Sequence, residues 1–279
     1  MYTYSTLESL CDSQLAQCLS RAFGDYCVSV PADGAVLLSH LEESGVDRAA
    51  SYGAFREGRL IGLLLNAQGE YGGERAVFAV AAGVVPEHRG RQVFHHLLAR
   101  AEGELARQGA QAYYLEVLRQ NRDAIRLYQG LGFSVAREYQ ILRSAPAAGG
   151  PVPPPAEETD LSRFDPGAAG HCLLAEPSFE HTTAVLLRRA RPPRVRYMTR
   201  QGRISAFCVF DQASGAVFQL GYAHLPDLGA LVQGLVSSFP AVTVKNLDVG
   251  YPQLLRLLSG CSFQVVAGQY ELRKPLSGG

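Results

Sequence analysis

The chain of 279 residues has no surplus of either charge: 26 Lys and Arg balance 26 Asp and Glu, for a formal net charge of zero. A general nucleic-acid binder normally carries a basic excess, so no nucleic-acid partner is expected. No apolar run reaches the roughly 18 residues a helical span needs, so no membrane partner is expected either. The opening stretch MYTYSTLESLCDSQLAQCL lacks a basic segment followed by an apolar one, and no secretory leader is expected. Paired cysteines are absent too. Cys11, Cys18, Cys27, Cys172, Cys208 and Cys261 stand apart, with no Cys-x-x-Cys among them. That spacing fits neither a zinc site nor a dense disulfide framework. The expectation is scattered reduced core thiols, no metal, and a cytoplasmic protein.

What is present suggests two domains, as the length does at about 150 residues per domain. SAPAAGGPVPPPAEE, residues 144–158, offers almost nothing to bury and reads as a linker with polyproline character. It separates 1–143 from 159–279. In the first part, Leu7, Leu10, Cys11, Leu15, Cys18 and Leu19 have helical spacing over 7–23. Arg56-Glu57-Gly58-Arg59 between two apolar runs signals a hairpin. A strand over 75–85 follows, then a helix whose apolar face carries Phe94, Leu97, Leu98, Ala101 and Leu105 and which stops near Gly109. AYYLEVL (112–118) is a strand, RDAIRLYQGLG a short helix, and FSVAREYQIL a strand.

The second part repeats that order. GAFREGRLIGLLL is echoed by YMTRQGRISAFCV, and AIRLYQGLGF by LLRLLSGCSF. Arg126, Leu127, Gly130 and Phe133 correspond to Arg256, Leu257, Gly260 and Phe263 at one constant offset. AYYLEV meets AVTVKN, and FSVAREYQIL meets FQVVAGQYEL. A repeat this long implies two copies of a domain rather than a solenoid. The copies differ where chemistry would lie. PEHRGRQVFHHLL has GYAHLPDLGALV as its counterpart, without the Arg-Gly-Arg turn; Tyr128 becomes Leu258 and Asn121 becomes Tyr251.

A turn with glycine before a helix lets an anion approach backbone N–H groups that have no helical partner, and Arg89 and Arg91 add full charges. Asn121, Ala124 and Tyr128 form one stripe on a helix, with the small Ala124 leaving room between an amide and a phenol. Taken together, GVVPEHRGRQVFHHLL and LEVLRQNRDAIRLYQGLGF resemble the GNAT superfamily of acyl-CoA-dependent N-acyltransferases. The first matches its V-x-P-x-x-R-G-x-G segment, the second its N-x-x-A-x-x-L-Y-x-x-x-G-F segment, here Asn121, Ala124, Leu127, Tyr128, Gly132 and Phe133. The resemblance covers about residues 5–143, and the remainder looks like a degenerate second copy, as in bacterial tandem GNAT proteins.

The resemblance implies an α/β (α+β) fold of two tandem domains, each a mixed, mostly antiparallel twisted sheet with flanking helices. It implies an N-acetyltransferase moving an acetyl group from acetyl-CoA to an amine within a ternary complex. The cofactor-binding residues it implies are Val84, Val85, Arg89, Gly90, Arg91, Gln92, Val93, Phe94, Asn121 and Ala124. Tyr128 becomes the candidate acid for the departing thiolate, and a backbone N–H near Val84-Val85 the candidate oxyanion donor. Glu116 is a candidate base, beside a water chain or an acceptor that arrives unprotonated. Asp25 and Tyr26 fall where the family builds its acceptor wall, and Asn246 and Asp248 are the polar candidates of the second copy. His88, His95 and His96 read as loop and surface residues rather than metal ligands. The acceptor is an amine on a small molecule or peptide, and the two copies imply a pseudo-dimeric monomer or a homodimer.

Two departures stand out. Where the family has small residues, this chain has Gln92 and Phe94. Gln92 either avoids a positive φ or carries strain there, and Phe94 is expected to point into the helix–sheet core. The strand FAVAAGVV also lacks the carboxylate that many members carry near Val80 or Ala81. That absence supports an alternative function, a non-catalytic acyl-CoA-binding sensor or scaffold.

Overall fold

A computed structural model describes residues 1–24, 34–145, 155–172 and 177–276. Contacts divide the chain into two compact units, and neither is contiguous. The first is Met1–Glu116, Arg126–Ser134 and Leu272–Gly279; the second is Val117–Ile125 and Val135–Glu271.

The first unit contains β1 (Thr3–Thr6), α1 (Asp12–Ala22), α2 (Gly34–Glu43), β2 (Val46–Arg56), β3 (Arg59–Tyr71), β4 (Glu74–Val84), α3 (Val93–Arg107) and most of β5 (Ala112–Leu118). It also holds the later part of α4 (Arg122–Gly130). Its strands lie in the order β1–β2–β3–β4–β5 and run antiparallel except β4–β5, which is parallel. The strand β1 and the helix α2 were not expected from the sequence. α1 begins at Asp12 rather than Leu7, because the Leu7 N–H donates to the Ser51 carbonyl (2.9 Å) and keeps that stretch on the sheet. Leu15, Cys18, Leu19 and Ala22 then bury the apolar stripe of α1. The Glu57-Gly58 turn is left-handed at both residues (φ 52° and 74°), the twist a two-residue hairpin needs.

The second unit contains β6 (Ser134–Ser144), β7 (Glu157–Asp160), α5 (Pro166–Ala169), α6 (Thr183–Leu186), β8 (Arg194–Arg200), β9 (Arg203–Phe210), β10 (Ala216–Tyr222), α7 (Leu225–Ser238), β11 (Thr243–Asp248), α8 (Pro252–Gly260) and most of β12 (Phe263–Pro275). Its strand order is β12–β6–β11–β10–β9–β8–β7, with β10–β11 parallel. Its core sets Leu228, Leu231, Val232 and Leu235 of α7 and Leu254 and Leu258 of α8 against Phe210, Val217 and Val244. Gln201-Gly202 repeats the hairpin of the first unit, at φ 51° and 74°.

Both units share one irregularity. β4 pairs with β5 only from Ala76↔Ala112 to Ala79↔Leu115, and then the strands part. Opposite β3, Ala79 faces Asn66 and Ala81 faces Leu65, so Val80 is an extra, bulged residue at the parting point. β10 leaves β11 after Val217↔Val244, and Phe218 is bulged in the same way opposite β9.

Both ends of the stretch 144–158 lie in strands. Ser144 is buried in β6, where its N–H donates to the Val242 carbonyl and its Oγ accepts from the Val242 N–H (both 2.9 Å); β7 already begins at Glu157. Of the six thiols, Cys27 lies outside the described residues. Cys18, Cys172 and Cys208 are buried, and burial pushes the Cys18 and Cys208 thiols up to about 12. Cys11 is exposed at the start of α1, which corrects the expectation of a core thiol there.

Candidate active site

β4 ends at Val84, and residues 85–92 lead to α3. Val85 is buried and its N–H donates to the Ile61 carbonyl (3.0 Å), so this N–H is committed to the sheet. Pro86–His88 forms one 3-10 turn. Gly90 then takes φ 70°, and a Cβ built there would meet nothing within 4 Å. Gln92, the residue before α3, takes φ 58° and ψ 14°. The turn therefore adopts the left-handed geometry that glycine favours, with glutamine in it, and carries the associated strain of about 1 kcal/mol.

Among the described residues no side chain caps the positive end of α3. Gln92 provides no side-chain cap and the first turn has no acidic residue. The first intrahelical bond runs from the His96 N–H to the Gln92 carbonyl (3.1 Å), so the N–H groups of Val93, Phe94 and His95 lie ahead of it. Arg91 is exposed and has no partner among the described residues. Arg89 is differently engaged. Its Nε donates to the Val84 carbonyl and its Nη2 to the Ala22 carbonyl, both at 2.9 Å.

Phe94 is not in the core. Val93 is, together with Leu97, Leu98, Ala101 and Leu105. Starting the helix at Val93 turns Phe94 off the buried face, and its ring meets Tyr128 edge-on at 5.9 Å. Tyr128 also meets Phe133 at 5.6 Å, so the phenol ring is held between two aromatic neighbours. At the parting point, Val80–Gly83 is half-buried between the buried Ala79 and Val84. Gly83 is confined: a Cβ there would lie 3.2 Å from the Ala22 Cβ and 3.4 Å from the Phe23 ring. An isolated glycine in a strand signals such a close approach, a sign available in the sequence; the bulge at Val80 has no such sign. Glu116 is half-buried, one residue past the last β4–β5 pair.

The first unit thus brings together Val84, Val85, Arg89, Gly90, Arg91, Gln92, Val93, Phe94 and Tyr128, with Glu116 on β5. Asn121 and Ala124 belong to the second unit. There the Asn121 Oδ1 accepts from the Ala124 N–H (3.2 Å) and caps the start of α4. Asp25 and Tyr26 lie outside the described residues. His88 bonds Tyr2 through Nδ1 (3.1 Å), while His95 and His96 are exposed and meet in a T-shaped contact. Among the described residues no cluster could hold a metal ion, and no helix is long and apolar enough to cross a membrane.

The second unit's candidates are occupied internally. The Asn246 Nδ2 donates to Ser178 Oγ (3.1 Å) and its Oδ1 accepts from Gln269 Nε2 (2.9 Å), with the residue at φ 48°. Asp248 Oδ1 accepts from the Gly250 N–H (2.8 Å) and shapes a turn. Sequence reasoning missed Asp227 altogether. It lies in the first turn of α7, buried, with Arg200 donating to both carboxylate oxygens (2.7 and 2.9 Å) and Ser205 donating to one (2.6 Å). The Arg200 and Ser205 bonds hold its carboxyl well below the usual carboxylate range, against the opposing effect of burial.

Residues 15–133 match the model of the acetyltransferase (GNAT) family. No curated protein sequence matches the chain. Solved structures do. A GCN5-related N-acetyltransferase from Sphaerobacter thermophilus superposes at TM-score 0.66 with 17% identity, over 100% of this chain and 96% of that one. A GCN5-related N-acetyltransferase from Anabaena variabilis gives 0.67 with 14% identity, over 99% and 73%. A tandem GNAT protein from the clavulanic acid biosynthesis pathway gives 0.63 with 12% identity, over 99% of each chain. At these identities the likeness speaks for the fold, which extends over both copies, while the family match rests on the first. Residues 15–133 thus match the GNAT family, and the chain as a whole has the fold of solved GNAT structures, a tandem one among them.

Proposed function

We propose that the protein transfers an acetyl group from acetyl-CoA directly to an amine. One observation carries this reading: the left-handed Gly90 and Gln92 lead into a helix with no acidic residue in its first turn and no side-chain cap, beside the point where β4 parts from β5. The donor set suits a pyrophosphate, since it consists of main-chain N–H groups, the exposed guanidinium of Arg91, which has no partner among the described residues, and open space over Gly90. When bound, acetyl-CoA supplies an electrophilic thioester carbonyl and a thiolate leaving group.

In this reading the turn 89–92 and the first N–H groups of α3 hold the phosphates. The parted segment Val80–Gly83 receives the acyl end. Because the Val85 N–H is committed to Ile61, the oxyanion donor is sought among the backbone N–H groups of that bulged segment instead. Tyr128, fixed between Phe94 and Phe133, delivers the proton to the thiolate. Glu116, or water, takes the proton of the amine. Residues 1–143 form the catalytic copy of the duplicated sequence, 144–158 the linker and 159–279 the degenerate copy, although β6 folds with the second unit. The site is one of soluble, cytoplasmic chemistry, with an amine on a small molecule or peptide as acceptor.

A panel of aminoglycosides, amino acids, polyamines and peptides, assayed by acetyl-CoA-dependent release of free thiol, tests the reading. Turnover of one class supports it; no thiol release from any, with no acetyl-CoA binding, sinks it. One observation favours the sensor reading: no carboxylate stands on Val80–Gly83. That reading gains if acetyl-CoA binds tightly and no amine is acetylated.

A further inference from the structure

The two arginines of the turn are both exposed but differ in what they touch. Arg91 has no partner among the described residues. Arg89 directs its fork at two main-chain carbonyls from separate elements: Val84, at the end of β4, and Ala22, at the end of α1 (both 2.9 Å). The carbonyls of a last helical turn have no helical partner, and a cation there also opposes the negative end of the helix. A planar guanidinium can bridge two fixed carbonyls at once, whereas an ammonium is a single point of charge.

Further contacts join the same two elements. Gly83 of β4 sits directly against Ala22 and Phe23, so the end of α1 forms one wall of the parted segment Val80–Gly83. Arg21 of α1 pairs with Glu87 of the turn (3.2 Å), an exposed pair that contributes little by itself. The α1 wall, the end of β4 and the turn are thus tied at Arg89.

We propose that Arg89 is a positioning residue for the wall of the acyl and amine slot, and that Arg91 alone supplies the turn's charge to the phosphates. The choice of ligand rests on the acyl-CoA reading above; the tie to α1 does not.

Arg89→Gln, Arg89→Lys and Arg91→Gln distinguish the two roles, each checked first for an unchanged melting profile. With acetyl-CoA as the titrant, Arg91→Gln is expected to weaken binding about tenfold and both Arg89 variants by less than about threefold. Amide hydrogen exchange over Leu19–Gly24 is expected to quicken about tenfold in both Arg89 variants and to stay unchanged in Arg91→Gln. With whichever panel amine supports the fastest thiol release, the Arg89 variants raise the KM for amine and leave that for acetyl-CoA unchanged. Lysine does not restore the wild-type values, because it cannot span both carbonyls. The proposal is overturned if Arg89→Gln weakens acetyl-CoA as much as Arg91→Gln does while Arg89→Lys restores it. Unchanged exchange over Leu19–Gly24 overturns it as well. If the wild-type protein does not bind acetyl-CoA, the acyl-CoA reading fails, and the exchange measurement still decides the tie.

Discussion

The corner that ends β4 and the corner that ends β10 are alike up to the last strand residue and opposite beyond it. Each follows a parallel strand pair that separates, and each has a bulged residue at the separation, Val80 in one and Phe218 in the other. After β4 come residues 85–92, with left-handed Gly90 and Gln92, and a helix start without an acid. After β10 come only Ala223 and His224, and then α7 with Asp227 buried in its first turn. A helix N-terminus attracts negative charge in either case. The second corner provides its own anion in the first helical turn, paired with Arg200; the first helical turn of the other corner has none, and an exposed arginine stands beside it. The fold alone therefore does not make an anion site. On the proposed reading, what makes one in the first corner is a longer turn together with a first helical turn that carries no carboxylate.

Removing the second corner's anion is expected to have the largest effect. Asp227→Ala removes the carboxylate that Arg200 and Ser205 share, leaving Ser205 only the Met198 carbonyl at 3.2 Å, and is expected to cost about 3 kcal/mol, read from the denaturant midpoint. It should gain no acetyl-CoA binding, since Ala223-His224 leaves no loop to shape a site; a gain would show that the carboxylate alone closes this corner. Asp227 also sets an acid limit. Its folded pKa is depressed, so its stabilisation is present above the ordinary carboxylate pKa of about 3.9 and is lost as pH falls below it. An Asp227→Asn variant should flatten that part of the stability–pH curve, and an unchanged slope would remove the pairing from the account.

The tyrosine sharpens the comparison next, because the second copy has Leu258 at that place. Tyr128→Phe is expected to lower kcat by about 10- to 100-fold with little change in acetyl-CoA affinity, as for loss of a proton donor. Full turnover in that variant would reduce Tyr128 to a packing residue between Phe94 and Phe133. The smallest effect is expected from Gln92→Gly, which relieves the left-handed strain and should stabilise by about 0.5–1 kcal/mol. Destabilisation would mean that the Gln92 side chain holds the turn in a way its geometry does not reveal.

Periodicity and turn chemistry made much of this readable in the sequence. β5 runs over 112–118 as expected, and both hairpins fall at their Gly58 and Gly202 signals. Where local pattern carries no information, expectation and structure part. FSVAREYQIL and FQVVAGQYEL look interchangeable, yet β6 folds with the second unit and the end of β12 with the first. The deciding contacts are specific. Arg137 on β6 pairs with buried Glu271 in the second unit, and Arg273 pairs with Glu74 in the first. No local window shows which partner such a residue will find. Phe94 departs from the expected core position for a smaller reason: starting α3 at Val93 puts Val93 rather than Phe94 on the buried stripe. Arg89 and Arg91 are chemically identical in sequence, and only coordinates separate a guanidinium on two carbonyls from one in solvent.

Calorimetric titration with acetyl-CoA tests the central claim most directly, comparing wild type with His95→Asp, which gives the first corner an acid in its first helical turn as Asp227 does in the second. The account expects one site per chain in the wild type, weakened at least about tenfold in the variant by like charge and a filled helix end. Two sites per chain, or an unchanged affinity in His95→Asp, would contradict it.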